Sequence, residues 1–109
     1  MTALSFDRET SVLVTAVVTM PRLSAARSTA RQLALGDPID AALIDCSAME
    51  ASSLSVAQEL IAQLVDVRGA RWIQLIEPTQ FWLDRVRAQI QRRGMAEALS
   101  VVPRASSAS

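Results

Sequence analysis

Three glycines, Gly36, Gly69 and Gly94, each close a segment in which apolar residues recur every three or four positions, and between these segments lie short apolar runs. That alternation limits the chain more than any other feature. A glycine just past a helical stretch supplies the positive φ with which helices end. Before Gly36, the positions Leu23, Ala26, Ala30, Leu33 and Ala34 share one face, with Arg22, Arg27 and Arg31 opposite and Pro21 suited to a first turn. Before Gly69, Ala57, Leu60, Ile61, Leu64 and Val65 form a second stripe, opened by Ser55 as N-cap with Gln58 three residues on, a capping-box spacing. Before Gly94, Trp82, Leu83, Val86 and Ile90 repeat at helical spacing.

The runs between are of strand length: Val12 to Val18, Ala41 to Ile44, Trp72 to Ile76 and Leu99 to Val102. Their brevity and branched residues predict buried strands. Leu4 to Phe6 can return on Val12 to Val18 through the polar turn Asp7-Arg8-Glu9-Thr10, a predicted hairpin. Strand and helix then alternate, which requires parallel neighbours and right-handed crossovers. The expected architecture is α/β, one domain over residues 1–103, with a mixed, mostly parallel sheet of about five strands and three to four helices, followed by a flexible tail over 104–109.

Composition then excludes chemistry. The 109 residues contain no histidine, so Ser-His and Cys-His nucleophile pairs, imidazole bases and His-bound zinc are out of reach. All eleven basic residues are arginines, scattered and balanced by eleven acids, and leave no electrostatic footprint for nucleic acid. A lone Cys46 forms no internal disulfide and suggests a reducing, cytoplasmic setting. Val12 to Met20 is too short for a membrane span, and the acidic start does not read as a signal peptide. The glycines already serve helix ends, so no phosphate-binding glycine loop remains, and neither cofactor nor metal is expected.

What remains is the segment around the second helix start. Asp45 follows a strand, where open α/β sheets place ligands, yet without a His, Lys or Tyr nearby its expected role is to accept turn hydrogen bonds. Cys46 reads as a small buried filler. Ser47, Ser52, Ser53 and Ser55 crowd the approach to the helix, where capping explains them and where free N–H groups would also stabilise a phosphoryl group.

These residues resemble a family, the STAS domain, named for sulphate transporters and anti-sigma factor antagonists, and the likeness runs over nearly the whole chain. Asp45-Cys46-Ser47 stands where the family has Asp-Leu-Ser, and Ser53-Leu54-Ser55-Val56-Ala57 where it has Asp-Ser-Ser-Gly-Leu. Trp72 to Pro78 is similar to the family's next strand and its closing proline, and Gly94 to Leu99 to the segment leading into the last strand. Ser53, Leu54 and Val56 replace the family's second Asp, first Ser and Gly, and Ser55 alone matches the phosphorylated serine; a shifted register would put Ser53 or Ser52 there instead.

The resemblance implies a non-enzymatic bacterial binding module that docks on an anti-sigma factor, often a serine kinase, and so controls sigma factor release and transcription, with serine phosphorylation as the switch. Asp45, Ser47, Met49, Glu50, Ser53, Leu54 and Ser55 would form the contact surface. The alternative is an accessory subunit of a lipid or solute transporter, which would need exposed apolar groups such as Phe81, Trp82 or Leu54 in one patch. Self-association through the hairpin edge stays open.

Overall fold

Five-residue strands with side chains alternating between two environments organise the computed structural model, which describes residues 13–24 and 26–104. β1 (Thr15–Thr19), β3 (Ala41–Asp45), β5 (Trp72–Ile76) and β6 (Leu99–Val102) form a four-stranded sheet in that spatial order, all parallel. The register places Thr15 beside Ala41 and Ala41 beside Trp72, and Val17, Leu43, Gln74 and Ser100 in one row across the sheet. Because spatial order follows chain order, right-handed crossovers put every connecting helix on the same face. Those helices are α1 (Arg27–Ala34), α2 (Leu54–Ile61) and α3 (Gln80–Arg92), with α2 packed between the other two.

The protein is thus α/β, as the spacing predicts. The strands at Trp72–Ile76 and Leu99–Val102 fall where the sequence places them. The hairpin strand expected at Leu4 to Phe6 lies outside the described residues, and the described strands of the main sheet are all parallel. The core lies between sheet and helices: Val18, Ala42, Ile44, Ile73 and Leu75 from the strands meet Ala30, Val56, Leu60, Leu64, Trp82, Val86 and Ile90 from the helices, all buried. The opposite sheet face carries Val17 and Trp72, 66% and 45% exposed.

The first helix is shorter than its apolar stripe predicts. Leu23 and Ser24 form β2 instead, pairing in parallel with β4 (Ala51–Ser52), while the Glu50 and Ala51 amides donate to the Arg22 carbonyl. A nonlocal pairing claims these backbone groups, so Leu23 leaves the helix face and stands 57% exposed.

Polar fasteners set the helix spacing. Glu59 on α2 accepts from Arg31 Nε at 3.2 Å and from Gln63 Nε2 at 3.0 Å, with Arg27 at 3.7 Å, which ties α2 to α1. After Ile61 the helix widens into a π-helical turn over Ala62–Val67. At its end Gly69 takes φ 80° and Arg68 reaches back to α1, donating to the Ala34 carbonyl at 2.9 Å and the Asp37 carbonyl at 2.8 Å. The guanidinium lies so close over Gly36 that a Cβ there would fall 2.5 Å from Arg68 Nη2. Asp66 and Arg93 form a two-pronged ion pair at 2.9 and 2.8 Å that joins the π-helical turn after α2 to the cap of α3.

Candidate functional site

At the carboxyl end of the sheet three backbone bonds lock the strand exits together: Met20 N donates to Asp45 O, Cys46 N to Ile76 O, and Glu77 N to Val102 O, at 2.9, 2.8 and 2.7 Å. Glu77 holds a positive φ of 50°, the sole such non-glycine among the described residues, and the chain then turns through Pro78 into α3, capped by Thr79. The loop from Cys46 to Ser53 and the N-terminus of α2 sit at this end, and here the serines gather.

Asp45 is committed to its own turn. Its Oδ1 accepts from the Ser47 backbone N–H at 3.0 Å and from the Ser47 hydroxyl at 2.7 Å. The backbone bond, then the hydroxyl bond, hold its carboxyl below the usual carboxylate range. Cys46 is fully buried, and its thiol donates toward the Ile44 carbonyl at 3.5 Å. Burial pushes that thiol up to about 12, against which the Trp82 indole N–H gives the sulfur partial relief. The indole nitrogen makes no hydrogen bond of ordinary geometry among the described residues, so this relief is weak. A buried thiol held protonated is a poor nucleophile, and a carboxyl held low is a weak base.

The serines divide their roles. Ser53, not Ser55, is the N-cap of α2: its Oγ accepts from the Val56 N–H at 3.3 Å. The helix therefore starts two residues earlier than Ser55 with Gln58 predicts, and Gln58 instead accepts from Arg27 Nη2 at 2.9 Å. Ser55 stands in the first turn, half-buried, with its hydroxyl 2.9 Å from that of Ser53. Ser52 is half-buried in β4. Beside them Leu54 is 44% exposed, and Leu23, brought up by the β2–β4 pair, adds a second apolar group at this end. Glu50 is exposed and pairs with Arg22 at 3.8 Å. Met49, expected at a contact surface, is 3% exposed and supports the loop from beneath.

Two residues of this end escape local sequence reasoning. Leu23 fits a helical stripe, so only its nonlocal pairing reveals it as surface. Arg104, expected to begin a flexible tail, sends Nη2 to the carbonyls of Cys46 and Met49 at 3.1 and 3.2 Å and pins the serine loop from across the chain. Its signal is the single positive charge after the last strand, which says nothing of its target; residues 105–109 lie outside the described residues.

Elsewhere, a concavity of about 390 Å³ opens on the helix-free side near the amino ends of the strands, lined by Ala41, Leu43, Trp72, Gln74 and Ser100 among others. It lies at the other end of the sheet from the serines. Among the described residues no cluster of three or more Cys, Asp or Glu could hold a metal ion, and no helix is long and apolar enough to cross a membrane. Trp82 is fully buried and contributes to no surface patch with Phe81 or Leu54.

No protein-family model matches the chain, and comparison with curated proteins and with solved structures returns no match.

Proposed function

We propose that this protein is a docking module of the STAS type, which binds an anti-sigma factor through the N-terminal end of α2 and thereby governs release of a sigma factor, with no reaction of its own. One observation carries the reading: a half-buried serine hydroxyl, Ser55, stands in the first turn of α2 next to exposed Leu54, just after a loop that Asp45 and Arg104 hold in shape and whose β4 end pairs with the strand carrying exposed Leu23. Apolar groups of this exposure, next to hydrogen-bonding hydroxyls and rimmed by the Arg22–Glu50 pair, have the make-up of a small protein contact. A phosphoryl group on Ser55 would place nearly two negative charges in that contact and weaken it by desolvation cost and repulsion from a partner carboxylate.

The test is binding of serine-kinase anti-sigma factors to the purified protein by calorimetry. Leu54→Asp and Leu23→Asp should abolish binding, Ser55→Asp should weaken it, and Ser55→Ala should preserve it while removing phosphate transfer from radiolabelled ATP. Binding that survives both aspartates would refute the surface. Phosphate transfer unchanged in Ser55→Ala would refute the switch.

A second reading, the accessory subunit of a transporter, draws support from the sheet face on which Val17 and Trp72 are exposed, since a permanent assembly would bury such a surface. Co-purification with a transport ATPase or permease, disrupted by Val17→Lys, would favour it over the first.

A further inference from the structure

The outer flank of α3 carries charge that no carboxylate among the described residues answers. Phe81, Arg85, Ala88 and Arg92 follow one another at four, three and four residues, which at about 100° per residue aligns them in a single stripe along the helix. The buried residues of α3, Trp82, Val86, Gln89 and Ile90, occupy a different face. Phe81 is 50% exposed, Ala88 and Arg92 are exposed, and Arg85 is half-buried because its guanidinium lies 3.8 Å over the centre of the Phe81 ring.

The charges on this helix are unevenly matched. Asp84 accepts from Gln80 and pairs with Arg87 at 3.8 Å, and Arg93 is taken by Asp66. Arg85 and Arg92 have no carboxylate partner among the described residues, although the whole chain is formally neutral. Arg85 Nε is also buried, with no acceptor among the described residues. A guanidinium held over an aromatic ring has already lost much of its freedom, so an incoming carboxylate finds its outer Nη donors pre-organised. Ala88, between the two arginines, is small enough to let a second backbone approach.

We propose that this stripe docks an acidic amphipathic helix of a partner protein, with Phe81 as the apolar anchor and Arg85 and Arg92 pairing with its carboxylates. Arg beside an exposed aromatic is the composition of an interface anchor. The two arginines lie seven residues apart, about 10 Å along the axis, which suits acidic side chains two turns apart on one face of a helix. The surface is separate from the serine end of α2, and neither proposal depends on the other.

The probe is a synthetic helical peptide of about 18 residues, end-capped and fluorescent, with Leu and two Glu residues placed on one face to meet Phe81, Arg85 and Arg92. The control has both Glu residues replaced by Lys. By fluorescence anisotropy the Glu peptide should bind saturably to the intact protein and weaken with added salt. Arg85→Gln, Arg92→Gln and Phe81→Ala should each weaken binding about tenfold or more, while Arg87→Gln, whose charge is already paired, should leave it unchanged. Arg92 is exposed and outside the core, so its variant tests the stripe even where Phe81→Ala disturbs folding. Absence of saturable binding, equal binding of the Lys peptide, or equal loss with Arg87→Gln would overturn the proposal. So would a single-stranded oligonucleotide that binds the stripe more tightly than the Glu peptide.

Discussion

Replacing Ser53 by alanine separates the serine that caps α2 from Ser55, the one proposed above as the switch. Ser53 Oγ accepts the Val56 N–H at 3.3 Å, at the long end of the hydrogen-bond range, and contacts the Ser55 hydroxyl at 2.9 Å. Loss of an N-cap costs about 1 kcal/mol, and loss of a half-exposed hydroxyl contact that water can replace adds at most about 0.5 kcal/mol. Ser55→Ala removes only the hydroxyl contact, so its cost should stay below about 0.5 kcal/mol. In urea, with a slope of about 1.5 kcal/mol/M for a domain of this size, Ser53→Ala should lower the midpoint by about 0.7–1 M and Ser55→Ala by less than about 0.3 M. Ser53→Asp should recover most of the loss, because its carboxylate both caps and faces the positive end of the helix. The measurement is circular dichroism at 222 nm across a urea series, with equal slopes confirming that the denatured state is unchanged. A larger loss for Ser55→Ala than for Ser53→Ala would place the cap at Ser55 and refute this division of roles, as would failure of Ser53→Asp to rescue.

Two further predictions concern the fasteners between helices. Gly36→Ala should cost more in the native background than in Arg68→Ala, because only with Arg68 present must the new Cβ displace a guanidinium that bonds the Ala34 and Asp37 carbonyls. The coupling should be about 1–2 kcal/mol in a double-mutant cycle, and a value near zero would show that the contact does not hold α1. The carboxyls of Asp66, bonded to Arg93, and of Glu59, bonded to Gln63 and Arg31, are both held below their ordinary values. Below the unfolded pKa values the unfolded chain binds more protons than the folded one, so the stability these groups contribute is present above about pH 4.5 and is lost as pH falls through the depressed folded values. Urea midpoints between pH 6 and 2.5 should show a shallower acid decline in Asp66→Asn and Glu59→Gln than in the parent; identical slopes would refute the linkage.

How far the site could be read in advance follows from which interactions are local. The strands Trp72–Ile76 and Leu99–Val102 and the end of α3 before Gly94 are legible because side-chain periodicity and a glycine at φ 69° act within a few residues. Asp45 as a turn acceptor was equally legible, its partner Ser47 being two residues away. The cap register was not: Ser53 and Ser55 are both good N-caps, and the choice depends on where β4 ends after pairing with β2. The burial of Met49, the exposure of Leu23 and the reach of Arg104 to Cys46 likewise depend on chain segments far apart in sequence.

The residues alone, through apolar spacing and glycine placement, determined that this chain alternates strand and helix, that its sheet is largely parallel, and that histidine-dependent catalysis is beyond it. Tertiary structure decided which of several competent serines caps α2, which apolar side chains face outward at the serine end, and which arginines of α3 find a carboxylate among the described residues. The physical reason is range: helix and strand periodicity is written into neighbours a few residues apart, whereas a surface is whatever long-range pairing leaves uncovered, and that is settled only when β2 meets β4 and Arg93 meets Asp66.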